Sequence, residues 1–430
     1  MGTYELLCML SALALGAALI SSKISRLQTT IAITLVAFCL SLGILVLGKL
    51  FDIDLYFNAI NGLNDLDFRA LLINGLLGFL LFAGALNIRL GILKQQGWEV
   101  MILAVFSTLL STVIVATALW LLSPLLGIQL KYIYCLLFGA LISPTDPISV
   151  MAIIKQLKAP EDIAVQVEGE SLFNDGIGLV LFVSFSQLAF SDTPVTLTDV
   201  GWLFTHEVIG GLLFGLLLAV ILHGMIGFSE DESQKLLITF LAPTAGYVLA
   251  IMAGVSGPLA MVSCGITMGA WTAQHFFDEA GQGRLKRFWF LIEEYFNSLL
   301  FLLIGLMLLL VDFHGADWLF MLTAIPLVLV ARLVSIAVPY RGFRLFRNYN
   351  LFAEPILVWG GLRGGLALAM AMSIPANIML VPEKGIDLRE LMMVMSYGVV
   401  MFSILIQGTT VKGLIIKSKL LTSTNKPNSD

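Results

Sequence analysis

Two short segments of this sequence place oxygen-bearing side chains inside stretches that are otherwise apolar. The first is Ser-Pro-Thr-Asp-Pro at residues 143–147, in which two prolines enclose Thr145 and Asp146. Proline removes a backbone donor and clashes with the preceding turn, so a helix here is expected to break and to free carbonyl oxygens. Broken backbone at membrane depth is tolerated only where it lines a cavity or a site. A plain proline kink, with Asp146 capping the second half-helix, is the alternative interpretation.

The second segment is Glu-Gly-Glu-Ser-Leu-Phe-Asn-Asp-Gly at residues 168–176. On an α-helix, Ser171 and Asp175 are four residues apart and share a face, and so do Glu170 and Asn174. The two pairs are adjacent, which predicts one oxygen-rich stripe. Hydrated carboxylates at a helix end are the structural alternative, but the sequence after Asp175 continues as an apolar helix. Carboxylate, hydroxyl and amide oxygens are the ligands that hard cations prefer.

A third segment, Trp-Gly-Gly-Leu-Arg-Gly-Gly at residues 359–365, carries a cation. Arg363 has apolar sequence on both sides and cannot easily reach water, so it needs a buried anion. The candidates are the carboxylates of Glu170, Asp146 and Asp175.

Three further charged residues have simpler explanations. Arg332 lies close enough to the basic residue Arg341 for its head group to snorkel toward water. Glu293 and Glu294 are expected at the start of a span, where water or a neighbouring basic side chain accounts for them.

The composition sets the class of protein. Of the 430 residues, 58% are hydrophobic and 12% are charged, whereas a soluble globular protein has roughly 25% charged residues. The sequence therefore predicts an all-α polytopic membrane protein with a single integral membrane domain over residues 1–430. There is no basic stripe to indicate nucleic acid as a partner. A spanning helix needs about 20 apolar residues, and thirteen such spans are predicted. They cover residues 4–20, 29–48, 70–88, 98–123, 132–154, 164–190, 201–228, 234–253, 256–275, 287–311, 316–340, 351–374 and 391–416.

The basic residues orient these spans. With the N-terminus outside, 17 of the 24 Lys and Arg residues fall in inner segments and 5 in outer ones, as the positive-inside rule requires. The C-terminus is then cytoplasmic. Spans 1–6 and 8–13 form two inverted six-helix repeats, and the fifth span of each, span 5 or span 12, is broken. Broken helices at corresponding positions of inverted halves indicate the midplane site of a secondary transporter.

The motifs that are absent narrow the chemistry. The sequence has no GxxxxGK[ST], HExxH or GxSxG pattern, so neither ATP-driven pumping nor an enzyme is indicated. The four cysteines and four histidines show no CxxC or HxxxH spacing, and no cofactor is predicted. Burial favours a protonated carboxyl and a bound cation favours an ionised one, so a single carboxyl can exchange the two. With alternating access this competition gives cation/proton antiport. A cation channel or sensor on a transporter-like scaffold is the alternative of a different class.

The three polar segments carry a resemblance. Ser143-Pro-Thr-Asp-Pro147, Glu170-Ser-Leu-Phe-Asn-Asp-Gly176 and Gly361-Leu-Arg-Gly364 occur in this order on spans 5, 6 and 12. In these motifs the chain resembles the NhaP-type sodium/proton antiporters of the monovalent cation:proton antiporter-1 family. The resemblance covers essentially all thirteen spans. It implies a multi-pass protein of the plasma membrane, the cell's inner membrane, that transports monovalent cations and protons.

The resemblance also implies where the exchange takes place. Asp175 would be the carboxylate that exchanges H⁺ for Na⁺ or Li⁺, with K⁺ as the alternative cation. Asn174 stands where the electrogenic members of the family carry a second aspartate. One exchangeable carboxylate implies an electroneutral exchange of one cation per proton.

The other site residues follow from the same resemblance. Asp146, the Thr145 carbonyl and Ser171 would complete the oxygen shell around a Na⁺ held by Asp175. Glu170 would be either a further ligand or the buried ion-pair partner of Arg363.

The family fold implies a division into moving parts. Residues 98–190 and 316–417 would form the mobile ion-transporting core. Residues 1–97 and 201–312 would form the scaffold and the dimer interface of a homodimer. Residues 418–430 are expected to form a mobile cytoplasmic tail.

Overall fold

The protein is almost entirely helical in a computed structural model that describes residues 3–24, 28–51, 60, 63, 67–157, 160–191, 196–311, 313, 317–346, 352–382 and 385–424. The helices are α1 (Thr3–Ile24), α2 (Thr29–Phe51), α3 (Leu77–Asn87), α4 (Leu90–Ile102), α5 (Thr108–Leu122), α6 (Tyr132–Ile142), α7 (Ile148–Gln156), α8 (Glu161–Phe190), α9 (Leu197–Gly227), α10 (Glu232–Phe240), α11 (Tyr247–Met252), α12 (Gly257–Thr267), α13 (Ala273–Phe276), α14 (Glu279–Leu306), α15 (Asp317–Phe343), α16 (Ala353–Gly360), α17 (Gly365–Met372), α18 (Leu388–Phe402) and α19 (Gly408–Thr424). π-helical turns join four pairs of these helices, at Leu103–Ser107, Ala242–Gly246, Met268–Thr272 and Ser403–Gln407, and a fifth, Ala70–Leu76, leads directly into α3.

These helices confirm the prediction of a polytopic α-helical membrane protein. Each of the thirteen predicted spans falls on one helix or on a pair of consecutive helices. Within the described ranges, 9 helices are long and apolar enough to cross a membrane, and two shorter apolar stretches, Tyr4–Ile20 and Tyr132–Ile142, accompany them. The span count of thirteen, the N-terminus-out orientation and the inverted repeats stay predictions.

The helices break where the sequence predicts. Span 5 is divided into α6 and α7 at residues 143–147, and span 12 into α16 and α17 at residues 361–364. The two interruptions meet, because the Asp146 amide donates a hydrogen bond to the Leu362 carbonyl at 2.8 Å. Each unwound segment thereby provides a hydrogen-bond partner for a backbone group of the other.

The long helix α8 lies against the first of these breaks. A Cβ atom at Gly178 would overlap the ring of Pro144, so only glycine allows α8 to approach the break this closely. The side chains of the second polar segment are thus brought beside Thr145 and Asp146.

Three details differ from the sequence-based expectations. Helix α14 begins at Glu279 rather than near residue 287, which places Glu293 and Glu294 inside the helix instead of at its start. A two-stranded antiparallel ribbon, β1 (Met379–Val381) with β2 (Ile386–Asp387), interrupts the all-α pattern. The last helix continues to Thr424, and residues 425–430 of the predicted tail lie outside the described residues.

Candidate ion-binding site

Asp146 lies between the half-helices α6 and α7, and its side chain accepts a hydrogen bond from the first residue of α7. Its Oδ1 accepts a hydrogen bond of 2.9 Å from the Ile148 amide, at the N-terminal end of α7. A carboxylate at this position is favoured by the unpaired amides and the positive end of the helix dipole. A Cβ at Gly364 would lie 2.7 Å from Oδ2, so Gly364 is in direct contact with this carboxylate. The capping role is therefore present, and the second oxygen is still available.

Thr145 is held by Asn174 and Ser171 of α8. The Thr145 amide donates to Asn174 Oδ1 at 3.1 Å, and Asn174 Nδ2 donates to Thr145 Oγ1 at 2.8 Å. The hydroxyls of Thr145 and Ser171 are 3.1 Å apart. All three residues are buried, with at most 3% exposure. Asn174 of α8 thus holds Thr145, and with it the broken segment, through both the oxygen and the nitrogen of its side-chain amide.

Glu170 forms its ion pair with Arg332 and not with Arg363. The predicted Arg363–Glu170 pair is therefore wrong. Arg332 Nη1 lies 2.5 Å from Glu170 Oε1, and Nη2 lies 2.8 Å from Oε2. Such a two-fold contact is the strongest form of the arginine–carboxylate pair. The snorkelling interpretation of Arg332 is also wrong, because the residue is 5% exposed and lies eleven positions before the end of α15.

Arg363 binds the end of the first half-helix instead of a carboxylate. Its Nη1 donates to the carbonyl of Ser143 and, at 2.8 Å, to that of Pro144. These carbonyls follow the C-terminus of α6, where a cation is favoured by the negative end of the helix dipole. The Arg363 amide donates to Ser403 Oγ at 2.9 Å, which fixes the turn that carries the guanidinium.

A cavity of about 190 Å³ brings Asp146 and Asp175 together. Both carboxyls line it, whereas the buried side chains of Thr145, Asn174 and Glu170 lie behind them. Ser171 likewise faces Thr145 rather than the cavity. The predicted residues therefore cluster in two layers, one that lines the cavity and one behind it.

Asp175 differs from its neighbours because its carboxyl has no partner among the described residues. No hydrogen bond or ion pair joins it to any residue that the structure describes, and the side chain is half-buried. The charges that act on it are those of Asp146 and Arg363. A half-buried carboxyl at the inner end of a cavity can take up either a proton or a cation.

The cavity leads away from Asp175 toward one end of the helix bundle. Its lining reaches Gln28 beside the start of α2, Lys155 in the last turn of α7, and Phe290 of α14. No cluster of three or more Asp, Glu, His or Cys residues fit to hold a metal ion is formed in the described part of the chain.

Comparison with known proteins identifies the family of this chain. Residues 9–417 match the profile of the family described as sodium/hydrogen exchanger, transmembrane. The chain belongs to this family. The exchanger is 36% identical over 404 residues to the Na⁺/H⁺ antiporter NhaP of Pseudomonas aeruginosa, an alignment that covers 92% of each chain. It is 31% identical over 358 residues to the Na⁺/H⁺ antiporter NhaH of Halobacillus aidingensis, covering 81% of this chain and 83% of the relative.

A solved structure shows the same fold. The sodium proton antiporter MjNhaP1 from Methanocaldococcus jannaschii, determined at pH 8, superimposes with a TM-score of 0.72 at 19% sequence identity. The match covers 96% of the exchanger and 97% of that chain. The family assignment confirms the resemblance drawn from the three polar segments, and it places the exchanger among multi-pass membrane transporters.

One residue of the site was missed by the sequence reading. Arg332 bears on the site through Glu170, but the two residues are 162 positions apart and share no motif. The sequence does indicate that Arg332 is distant from the end of its span. A helix that continues well past Arg332 places the guanidinium far from water.

Proposed function

We propose that this exchanger carries one Na⁺, or Li⁺, in exchange for one H⁺, and that the two compete for the carboxyl of Asp175. The observation that carries the proposal is the unpartnered Asp175 carboxyl at the inner end of the cavity. The only other carboxyl of the predicted site that lines the cavity, Asp146, is already engaged by the Ile148 amide. Asp175 is therefore the one freely exchangeable carboxyl of the predicted site, which supports an electroneutral exchange.

The roles of the surrounding residues divide according to their contacts. Asp175 and Asp146 supply the carboxylate oxygens on the cavity side, and the Thr145 carbonyl and Ser171, which lie behind these carboxyls, complete the shell of the bound cation from that side. Asn174 holds Thr145 in position through its two hydrogen bonds. Glu170 acts by anchoring Arg332 rather than as a ligand, because both its oxygens are engaged by the guanidinium.

The position of the cavity supports alternating access. The end of the bundle that it reaches carries Lys155, which the positive-inside rule assigns to the cytoplasm. The structure is then the inward-open state. Movement of the core, residues 98–190 and 316–417, against the scaffold, residues 1–97 and 201–312, exposes Asp175 to the opposite side. We place the homodimer interface in the scaffold.

The test is an exchange assay in proteoliposomes with a preset pH gradient. Na⁺, Li⁺ and K⁺ are added in turn, and collapse of the gradient is followed with a pH-sensitive dye. Na⁺ and Li⁺ are expected to collapse it, and clamping the membrane potential with a permeant ion is expected to leave the rate unchanged. A response to K⁺ alone would overturn the assignment of Na⁺, and the absence of any response would overturn antiport.

A further inference from the structure

The cavity holds a second group of polar side chains nearer its mouth. We propose that Glu293, Asn297 and Glu168 form a second monovalent-cation site, which loads the cation before it moves on to Asp175. The inference rests on the proposed function, because it adds a second binding site on the path of the cation that Asp175 exchanges.

Helix α14 places two of these residues one above the other. Glu293 and Asn297 are four positions apart, so they share a face, and both line the cavity. Further along the same helix, Leu300 lies beside Gly365, where a Cβ would be 2.5 Å from Leu300 Cδ1. Gly365 follows the glycine that contacts Asp146. Seven residues of helix therefore separate Glu293 from the level of Asp146, a rise of roughly 10 Å.

Helix α8 brings Glu168 to the same depth. Glu168 precedes Asp175 by seven residues, which is about two helical turns on one face and a rise of roughly 10 Å. Both α8 and α14 run from the mouth of the cavity inward, and Glu168 and Glu293 each line it. The charges of Lys155 and of Glu168 both act on Glu293. The two carboxyls thus face a common space, one step short of Asp175.

Asn297 supplies the observation that points to a ligand. The residue is 2% exposed, and its Oδ1 has no hydrogen-bond partner among the described residues. A buried amide oxygen without a partner is unfavourable, and this one belongs to a residue of the cavity wall. A cation, or a water of its hydration shell, provides the missing partner at a wall of the cavity.

The charge of the cavity favours a cation over any other occupant. Five carboxyls line it, whereas Lys155 is the one cationic side chain among its described lining residues. No ion pair joins Glu293 to a residue in the described ranges. Leucine side chains form much of the wall, and low-dielectric walls around charges of one sign concentrate counter-ions. Glu293 therefore forms no ion pair in a place that attracts cations, and Lys155 is the opposite charge that acts on it from the cavity wall.

Transport kinetics in proteoliposomes test the site, with wild-type exchange measured in the same preparation. Glu293→Gln and Asn297→Leu are each expected to raise the apparent KM for Na⁺ about fivefold while the maximal rate is retained, because one partly hydrated contact is lost. Glu279→Gln is the matched control, since it removes the same charge from an exposed position at the start of α14. An unchanged KM in Glu293→Gln overturns the second site. A wild-type protein that shows no exchange overturns the proposed function instead.

Two further variants separate a local site from a general field effect. Glu294→Gln changes the neighbouring exposed carboxyl, and a KM shift equal to that of Glu293→Gln would overturn the site. In the Asp175→Asn background, NaCl is expected to raise the melting temperature above that in choline chloride, and adding Glu293→Gln is expected to remove this increase. If Asp175→Asn alone removes it, the cation binds only at Asp175 and the second site is overturned.

Discussion

The Arg332 guanidinium donates two parallel hydrogen bonds to the Glu170 carboxylate, and both side chains are at least nine-tenths buried. Arg332 also donates to the Leu357 carbonyl at 3.0 Å, so the pair joins α8, α15 and α16. Asn174 Nδ2 lies 3.4 Å from Glu170 Oε1. The ion pair therefore stabilises, through Asn174, the hydrogen-bond network that holds Thr145.

Loss of either charge of this pair is expected to damage stability more than cation affinity. Glu170→Gln or Arg332→Gln leaves the other charge buried without its partner, at a cost of roughly 3–5 kcal/mol. The melting temperature of the detergent-solubilised protein should fall, and the double variant should lose less than the sum of the single variants. A shifted KM for Na⁺ with unchanged melting in Glu170→Gln would instead make Glu170 a ligand.

Gly364→Ala is expected to abolish or strongly reduce exchange. The added Cβ would lie 2.7 Å from Asp146 Oδ2 and 2.8 Å from Asp146 Cβ, so the carboxylate must move. Gly413→Ala is the control, because nothing lies within 4 Å of its added Cβ and alanine suits a helix better than glycine. Equal exchange rates in the two variants would show that the position of Asp146 does not matter.

Asp175→Asn is expected to reduce exchange to background while the protein remains folded. Asparagine has the size of aspartate but cannot release a proton, and no hydrogen bond to a described residue is lost. The measurement is Na⁺-driven collapse of a pH gradient, with gel filtration as the check on folding. Residual exchange at the wild-type rate would assign the exchanged proton to another group.

Asn174→Asp is expected to destabilise the site without making transport electrogenic. The new carboxylate cannot donate to Thr145 Oγ1 or to Glu170 Oε1, and it faces an existing negative charge. The loss should be about 1–3 kcal/mol, the usual cost of an unsatisfied buried group. Because the side chain is directed at Thr145, the exchange rate should stay independent of membrane potential, and a rate that follows the potential would contradict this.

The apparent KM for Na⁺ is expected to rise as the pH falls. If protons and Na⁺ compete for Asp175, as we propose, acidification removes the ionised carboxyl that the cation needs. Below the titration midpoint the increase should approach about tenfold per pH unit, with the maximal rate recovered at saturating Na⁺. A constant KM and a falling maximal rate would indicate a proton site separate from the cation site.

Local sequence predicts the elements of this fold better than the contacts between them. The prolines and glycines of spans 5 and 12 specify both breaks, because their backbone restrictions act within a few residues. The pairing of Arg332 with Glu170 depends on how α15 packs against α8, and no spacing within either helix encodes it. Glu293 was similarly misread, because the true start of α14 lies about two turns earlier than its apolar stretch suggests.

The guanidinium of Arg363 has a consequence for the fidelity of the exchange. Carbonyl oxygens at the end of a half-helix are ready-made ligands for a dehydrated Na⁺, and a cation held by carbonyls alone would need no carboxylate and would displace no proton. Arg363 occupies the carbonyls of Ser143 and Pro144 and withholds them from the ion. On the proposed assignment of Asp175, Na⁺ then binds where a proton must first depart, and this arrangement would suppress uncoupled leak of the cation through the membrane.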